Sequence, residues 1–248
     1  MTHTDPEHTH YEDRFYRNWS ESETLSRFEV RIAESDLLIL CDRPLPDEAR
    51  VALQAVRRDL EDRIAAQPEF ATSLAPLPGD ANAAPTVRSM LAAGRAWNVG
   101  PMAAVAGAVS EYVGRTLLEK SEIVFVENGG DIFAQSPRPV RFRLYAGEDS
   151  PFKGALAFSI PAAEGVAICT SSGKVGPSLS FGKADAVAAI HRDAAFADAA
   201  ATALANQIHT PDDVAVVVER ERERGLLDGL IACCGDKLGM WGGLELIR

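Results

Sequence analysis

At 248 residues the chain is long enough to bury a substantial core, as one large domain or two small ones, and 46% hydrophobic with 25% charged residues is the balance of a soluble globular protein. A net charge of −11 argues against nucleic acid, whose phosphates require clustered Lys and Arg. No apolar run reaches the roughly 18 residues of a membrane span.

The N-terminus is polar rather than signal-like, so a cytoplasmic location is expected. Cys41, Cys169, Cys233 and Cys234 lack C-x-x-C spacing and read as core residues of a reducing compartment. Residues 1–20 read as a flexible tail containing His3, His8 and His10, and 21–248 as a single domain.

The first strands are expected at Leu25–Val30 and Asp36–Cys41, the second continuously apolar. After Pro44 and Pro46, Asp47 is a candidate cap for a helix to about Gln67, where Leu53, Val56, Leu60 and Ile64 recur at three- and four-residue steps. Residues 68–85 read as a loop, and Pro85 as the start of a helix to Trp97. A small-residue helix follows Gly100-Pro101, from Met102 to about Leu118.

The stretch around which the chain is organised is Ile123 to Phe133. An apolar run ends in Asn128-Gly129-Gly130-Asp131 and resumes as Ile132-Phe133, which predicts two strands and a forced turn. Two glycines permit positive φ and leave the backbone bare, so their N–H groups can face an anion; an Asn-Gly hairpin with no ligand fits the same residues.

Further strands are expected at Val140–Tyr145, Ala155–Ile160 and Val166–Cys169. Then Thr170 to Lys183 forms a hydroxyl-, Gly- and Lys-rich connection, the kind of place where binding residues collect, although it lacks Walker A spacing. A strand at Ala186–Ile190 leads into a helix from Ala194 to about Ile208. In that helix Asp198 and Thr202 lie four apart amid alanines. A carboxylate buried there requires a partner: a hard cation such as Mg²⁺, or a polar contact within the core, with Thr202 bonding back to its own helix. A Val-rich, then charged segment follows Pro211 and ends near Arg224. Leu226–Cys234 and Leu238–Ile247 form a closing hairpin.

Three stretches in order, Glu127-Asn128-Gly129-Gly130-Asp131-Ile132, Thr170-Ser171-Ser172-Gly173 and Ala197 to Leu204, resemble the ApbE-like superfamily. Its best-known members are Mg²⁺-dependent FAD:protein FMN transferases. The run Gly176 to Val187 is more similar to a bacterial and archaeal branch without an assigned function.

The resemblance implies an α+β, T-fold-like architecture of antiparallel sheets packed by helices. It places Asn128, Gly129, Gly130 and Asp131 along a flavin site (FAD or FMN), with Ser171, Ser172 and Gly173 nearby, and Asp198 with Thr202 on the metal-ligand helix. Lys183 or Lys174 would meet the anion, and Asp185 would be a second carboxylate.

The chain departs from the transferases at two points. Met102-Ala103-Ala104-Val105-Ala106-Gly107 carries no lysine and no acid before Glu111, and Ser180 to Asp185 carries no histidine. The functional expectation is therefore a protein that binds a flavin nucleotide or similar diphosphate with Mg²⁺ and transfers or cleaves a phosphoryl-linked group. The alternative is a flavin or small-anion binder without turnover. Neither a nucleic acid nor a membrane is an expected partner, and a homodimer is compatible with the sequence.

Overall fold

A computed structural model describes residues 25–147, 150–152, 156–173 and 182–247. The first two strands, β1 (Ser26–Ile32) and β2 (Ser35–Cys41), pair antiparallel and lead to α1 (Pro46–Ala66) and a single turn, α2 (Glu69–Thr72). Helix α3 (Pro85–Trp97), a 3-10 turn at Pro101–Ala104 and α4 (Val105–Leu117) complete the first helical layer. Then come β3 (Val124–Asn128), β4 (Asp131–Gln135), β5 (Val140–Leu144), β6 (Leu156–Ile160), β7 (Val166–Ser171) and β8 (Ala186–His191). The described chain closes with α5 (Ala194–Ala205), α6 (Asp213–Arg224), β9 (Gly229–Cys234), β10 (Lys237–Gly242) and β11 (Glu245–Ile247).

Eight strands form one antiparallel sheet in the order β1-β2-β3-β4-β7-β8-β9-β10, and three form a second in the order β11-β6-β5. Strand alternation separates two cores. Val124, Val126, Val187, Ala189, Leu230 and Ala232 face the helices, whereas Ala134, Ile168, Ala186, Ala188, Ile190 and Ile231 face the smaller sheet. Among the described residues no helix is long and apolar enough to cross a membrane.

Several expectations shift. Asp47 does not cap α1: Leu45 is the N-cap and Pro46 the first helical residue, which leaves Asp47 in the first turn, where its charge suits the helix dipole. The small-residue helix opens as a 3-10 turn, and its α-helical part begins at Val105. Helix α5 ends at Ala205, three residues short of Ile208. The expected strand Leu238–Ile247 is divided into β10 and β11, because Gly242 at φ +118° turns the chain out of the larger sheet toward β6.

Helix α5 lies at the centre of the helical layer and packs on α3, α4, β7 and β8. Ten of its twelve residues are buried, eight of them alanines, so it can approach a sheet and two helices at once. At Gly107 of α4 a Cβ would lie 2.3 Å from the Ala194 carbonyl oxygen, which is why glycine stands there.

Candidate functional site

The turn Asn128-Gly129-Gly130-Asp131 closes a two-residue hairpin, with Asn128 opposite Asp131 and both glycines at positive φ, +69° and +102°. Its polar groups are largely spoken for within the protein. Gly130 N–H donates to Glu127 Oε1 (2.9 Å), and Asn128 Nδ2 donates to the Ala106 carbonyl at the start of α4 (3.2 Å). The expectation that both glycine amides face a ligand is therefore corrected at Gly130.

Alternation along β4 turns Asp131, like Phe133 two residues on, toward the helices. Phe133 lies against α4, where a Cβ on Gly114 would sit 2.3 Å from its ring. The β4–β7 register, Ile132 opposite Ile168, sets Asp131 beside the end of β7, and Asp131 Oδ1 accepts from Thr170 N–H (3.0 Å). From the helical layer Asp198 of α5 approaches the same point, its Oδ2 accepting from Gly107 N–H (2.9 Å). The hairpin turn and the alanine helix, distant in sequence, thus deliver two carboxyls into one buried region, 6% and 7% exposed.

The electrostatics follow from that burial. Removal from water, and then the charge of Asp198, push the Asp131 carboxyl well above the usual carboxylate range. Burial raises Asp198 to about 7, against the opposing pull of the Gly107 and Ala106 amides. Cys169, in the same place, is held as a thiol by burial and by both carboxyls, and its Sγ lies 3.5 Å from the Ala194 carbonyl oxygen. Two acids that share a dry site do not both ionise readily unless a cation joins them.

The N-terminus of α5, which aims Asp198, is fixed from several sides. Asp193 caps it by accepting from Phe196 N–H (2.9 Å), Ser89 of α3 donates to Asp193, and Glu111 of α4 accepts from Ala194 N–H (2.6 Å). Thr202 follows Asp198 by one helical turn and is half-buried. Ser171 is a buried member of β7, opposite Val187, so Thr170 and Ser171 belong to the strand rather than to the loop expected after Cys169. Gly173 continues past the strand end, where a Cβ would meet the Gly182 carbonyl at 2.3 Å.

Two predicted residues stand apart from this pair in their contacts. Asp185 is buried, but its Oδ2 accepts from Gly235 N–H (2.8 Å) in the β9–β10 turn. Lys183 is exposed, with its main-chain N–H bonded to the Ile208 carbonyl (2.7 Å). Lys174 lies outside the described residues. Sequence reasoning missed Cys169, Glu111 and the Gly107 amide. The first two were visible only as an unpaired cysteine and the first acid of a helix, and the strand register and helix crossing give them their place.

Among the described residues no group of three His, Cys, Asp or Glu side chains is placed to hold a metal by itself. The donor set at the carboxyl pair is two aspartates, whose oxygens are hard donors, with one oxygen of each acid already bonded to an amide. Such a set suits Mg²⁺ completed by phosphate and water oxygens rather than a metal caged entirely by protein.

The mixed sheet-and-helix fold is that of the ApbE proteins. The fold matches the flavin transferase ApbE from Vibrio cholerae with a TM-score of 0.56 over 88% of this chain and 96% of that one, at 10% identity. It matches the ApbE protein from Thermotoga maritima with a TM-score of 0.53, over 90% and 97% of the two chains, at 14% identity. Within that class the chain belongs to the family described as AbpE bacteria, whose model matches residues 17–226. Curated relatives named UPF0280 protein include one from Methanocella arvoryzae, 38% identical over 88% of this chain and 89% of its own length. A second, from Methanoculleus marisnigri, is 43% identical over 83% and 84%.

Proposed function

We propose that this protein binds a flavin nucleotide or a closely related diphosphate together with Mg²⁺ at the end of the larger sheet, between the β3–β4 turn and α5. One observation carries the reading: Asp131 and Asp198 are two buried carboxyls in one electrostatic environment, which a divalent cation would allow to ionise together. The fold likeness to flavin transferases supports the choice of ligand.

In this reading Asp198 and Thr202 hold the ion, with Asp131 as the second carboxylate. Gly129 and Asn128 border the ligand from the turn, and Ser171, Ser172 and Gly173 border it from the end of β7. Bound Mg²⁺ would neutralise diphosphate oxygens and stabilise the charge that develops on them. The chain's own part is to orient: Glu111 and the Asp193 cap fix the helix that carries Asp198, and Thr170 N–H fixes Asp131. Lys183, the exposed residue of the segment leading into β8, would meet an anion from outside, and Asp185 would shape the same strand entrance from within.

A second reading, binding without turnover, is favoured by the opening of α4. Where the transferases carry a lysine, Met102 to Gly107 offers only small and apolar side chains. Incubation with FAD and Mg²⁺ separates the two readings. Cleavage of the diphosphate releases AMP, whereas a pure binder returns intact FAD. Failure of FAD and FMN, with and without Mg²⁺, to raise the melting temperature or to be retained on the protein would overturn both.

A further inference from the structure

Four strands bound the two sheets: β1 and β10 in the larger, β11 and β5 in the smaller. Three carry charge at exposed positions, Arg27, Glu29 and Arg31 on β1, Arg141 and Arg143 on β5, and Glu245 on β11. Charged side chains of this kind keep an edge from pairing with other strands. The fourth differs. β10 reads Lys237-Leu238-Gly239-Met240-Trp241-Gly242, with its single charge at the first residue, no proline, and every position from Leu238 to Trp241 half-buried. Among the described residues no strand lies beyond it. A cavity of about 300 Å³, lined by Pro139, Ser159, Pro161 and the Gly242–Glu245 segment, continues the same edge toward the smaller sheet.

We propose that β10 pairs antiparallel with β10 of a second copy of this chain, about a two-fold axis normal to the sheet, and joins two eight-stranded sheets into one. The strand's own composition selects that occupant. To keep both helical layers on one side, facing residues must share a face. A register that does so puts Gly239 on the axis, Leu238 opposite Met240 and Lys237 opposite Trp241. Apolar side chains then meet on the face of the smaller sheets, and the one ammonium of each strand meets an indole rather than its own like. β5 could not pair in this way without setting arginine against arginine. A six-residue seam runs only about 20 Å, less than a standard interface of roughly 800 Å² per partner requires. A dimer held by such a short seam dissociates at accessible dilution.

The test is sedimentation equilibrium of the full chain over roughly 1 to 200 μM, the range in which a moderate dimer interconverts, with hydrogen exchange of the β10 amides at both extremes. The mass is expected to rise from 26.6 kDa toward twice that value, with those β10 amides that point away from β9 protected only at high concentration. Leu238→Lys and, separately, Met240→Lys should each weaken association at least tenfold. If either substitution unfolds the chain, exchange in the unsubstituted protein decides the matter. A chain that stays monomeric throughout overturns the proposal. So does a dimer in which the β10 amides pointing away from β9 exchange freely, or one that neither folded variant weakens.

Discussion

Asp131, at the first position of β4, and Asp198, in the second turn of α5, face the same buried space from the sheet and from the helical layer. Each is anchored through one oxygen to a backbone amide, Thr170 N–H and Gly107 N–H respectively. The arrangement fixes where the two acids stand while leaving their charges uncompensated by any described cationic side chain. The burial that positions them also disfavours their ionisation.

Asp198→Asn should therefore separate stability from binding. The amide keeps the side chain's shape and an acceptor for Gly107 N–H while it removes one charge of the pair. In chelator the variant should melt several degrees above the unsubstituted protein, since about 1 kcal/mol shifts a domain of this size by roughly 2–4 °C. In millimolar Mg²⁺ with FAD the stabilisation expected for the unsubstituted protein should be lost. Thermal melts under both conditions check this.

The pH dependence follows with its sign. Asp131 and Asp198 have folded-state values raised above their unfolded ones. Between the unfolded value near 3.8 and the raised values the folded state holds more protons, so stability falls as pH rises through that window. Metal-free protein should lose stability from about pH 4 to about pH 7, opposite to the trend of a salt-bridged aspartate. Denaturant titrations at stepped pH in chelator measure it, and a flat or rising profile contradicts the shared burial.

Gly107→Ala tests the close crossing of α4 and α5. The new methyl would sit 2.3 Å from the Ala194 carbonyl oxygen and 2.9 Å from Asp198 Cβ, so the helices must separate at the point that aims the acid. A loss of about 3 kcal/mol is expected, the upper range for overpacking, together with weakened metal response. Gly225→Ala is the contrast. It has nothing within 4 Å but a φ of +61°, and should cost only about 1 kcal/mol of backbone strain with the metal response intact.

Asp185 provides a test of site membership. Because its Oδ2 takes the Gly235 N–H of the β9–β10 turn, Asp185→Ala should destabilise by about 1–3 kcal/mol, the penalty of an orphaned buried donor. If that structural role is its main one, Mg²⁺-dependent ligand binding, measured by titration calorimetry below the melting transition, should change less than threefold.

Much of this architecture is legible in the sequence where local chemistry dictates it. Pro85 and the left-handed Asn98 bound α3 at the residues predicted, and two glycines at positive φ fix the β3–β4 hairpin. The Asp198–Thr202 spacing on an alanine helix pointed to a buried acid that needs a partner. Features decided by long-range pairing stayed hidden. Thr170 and Ser171 read as loop, because their strand character comes from pairing with Ala188 and Val187. The bond between Asp185 and Gly235 was hidden too, because nothing nearby in sequence announces Gly235 as a donor. The sheet switch at Gly242 depends on β6, which lies far upstream in the chain.

Whether Asp131 and Asp198 together hold one divalent cation is decided by Mn²⁺ binding followed by electron paramagnetic resonance in the presence of FAD. One ion per chain is expected, displaced by Mg²⁺, with affinity reduced at least tenfold by Asp131→Asn and by Asp198→Asn alike. Stoichiometric binding that survives both substitutions, or no binding to the folded protein with FAD present, would contradict it.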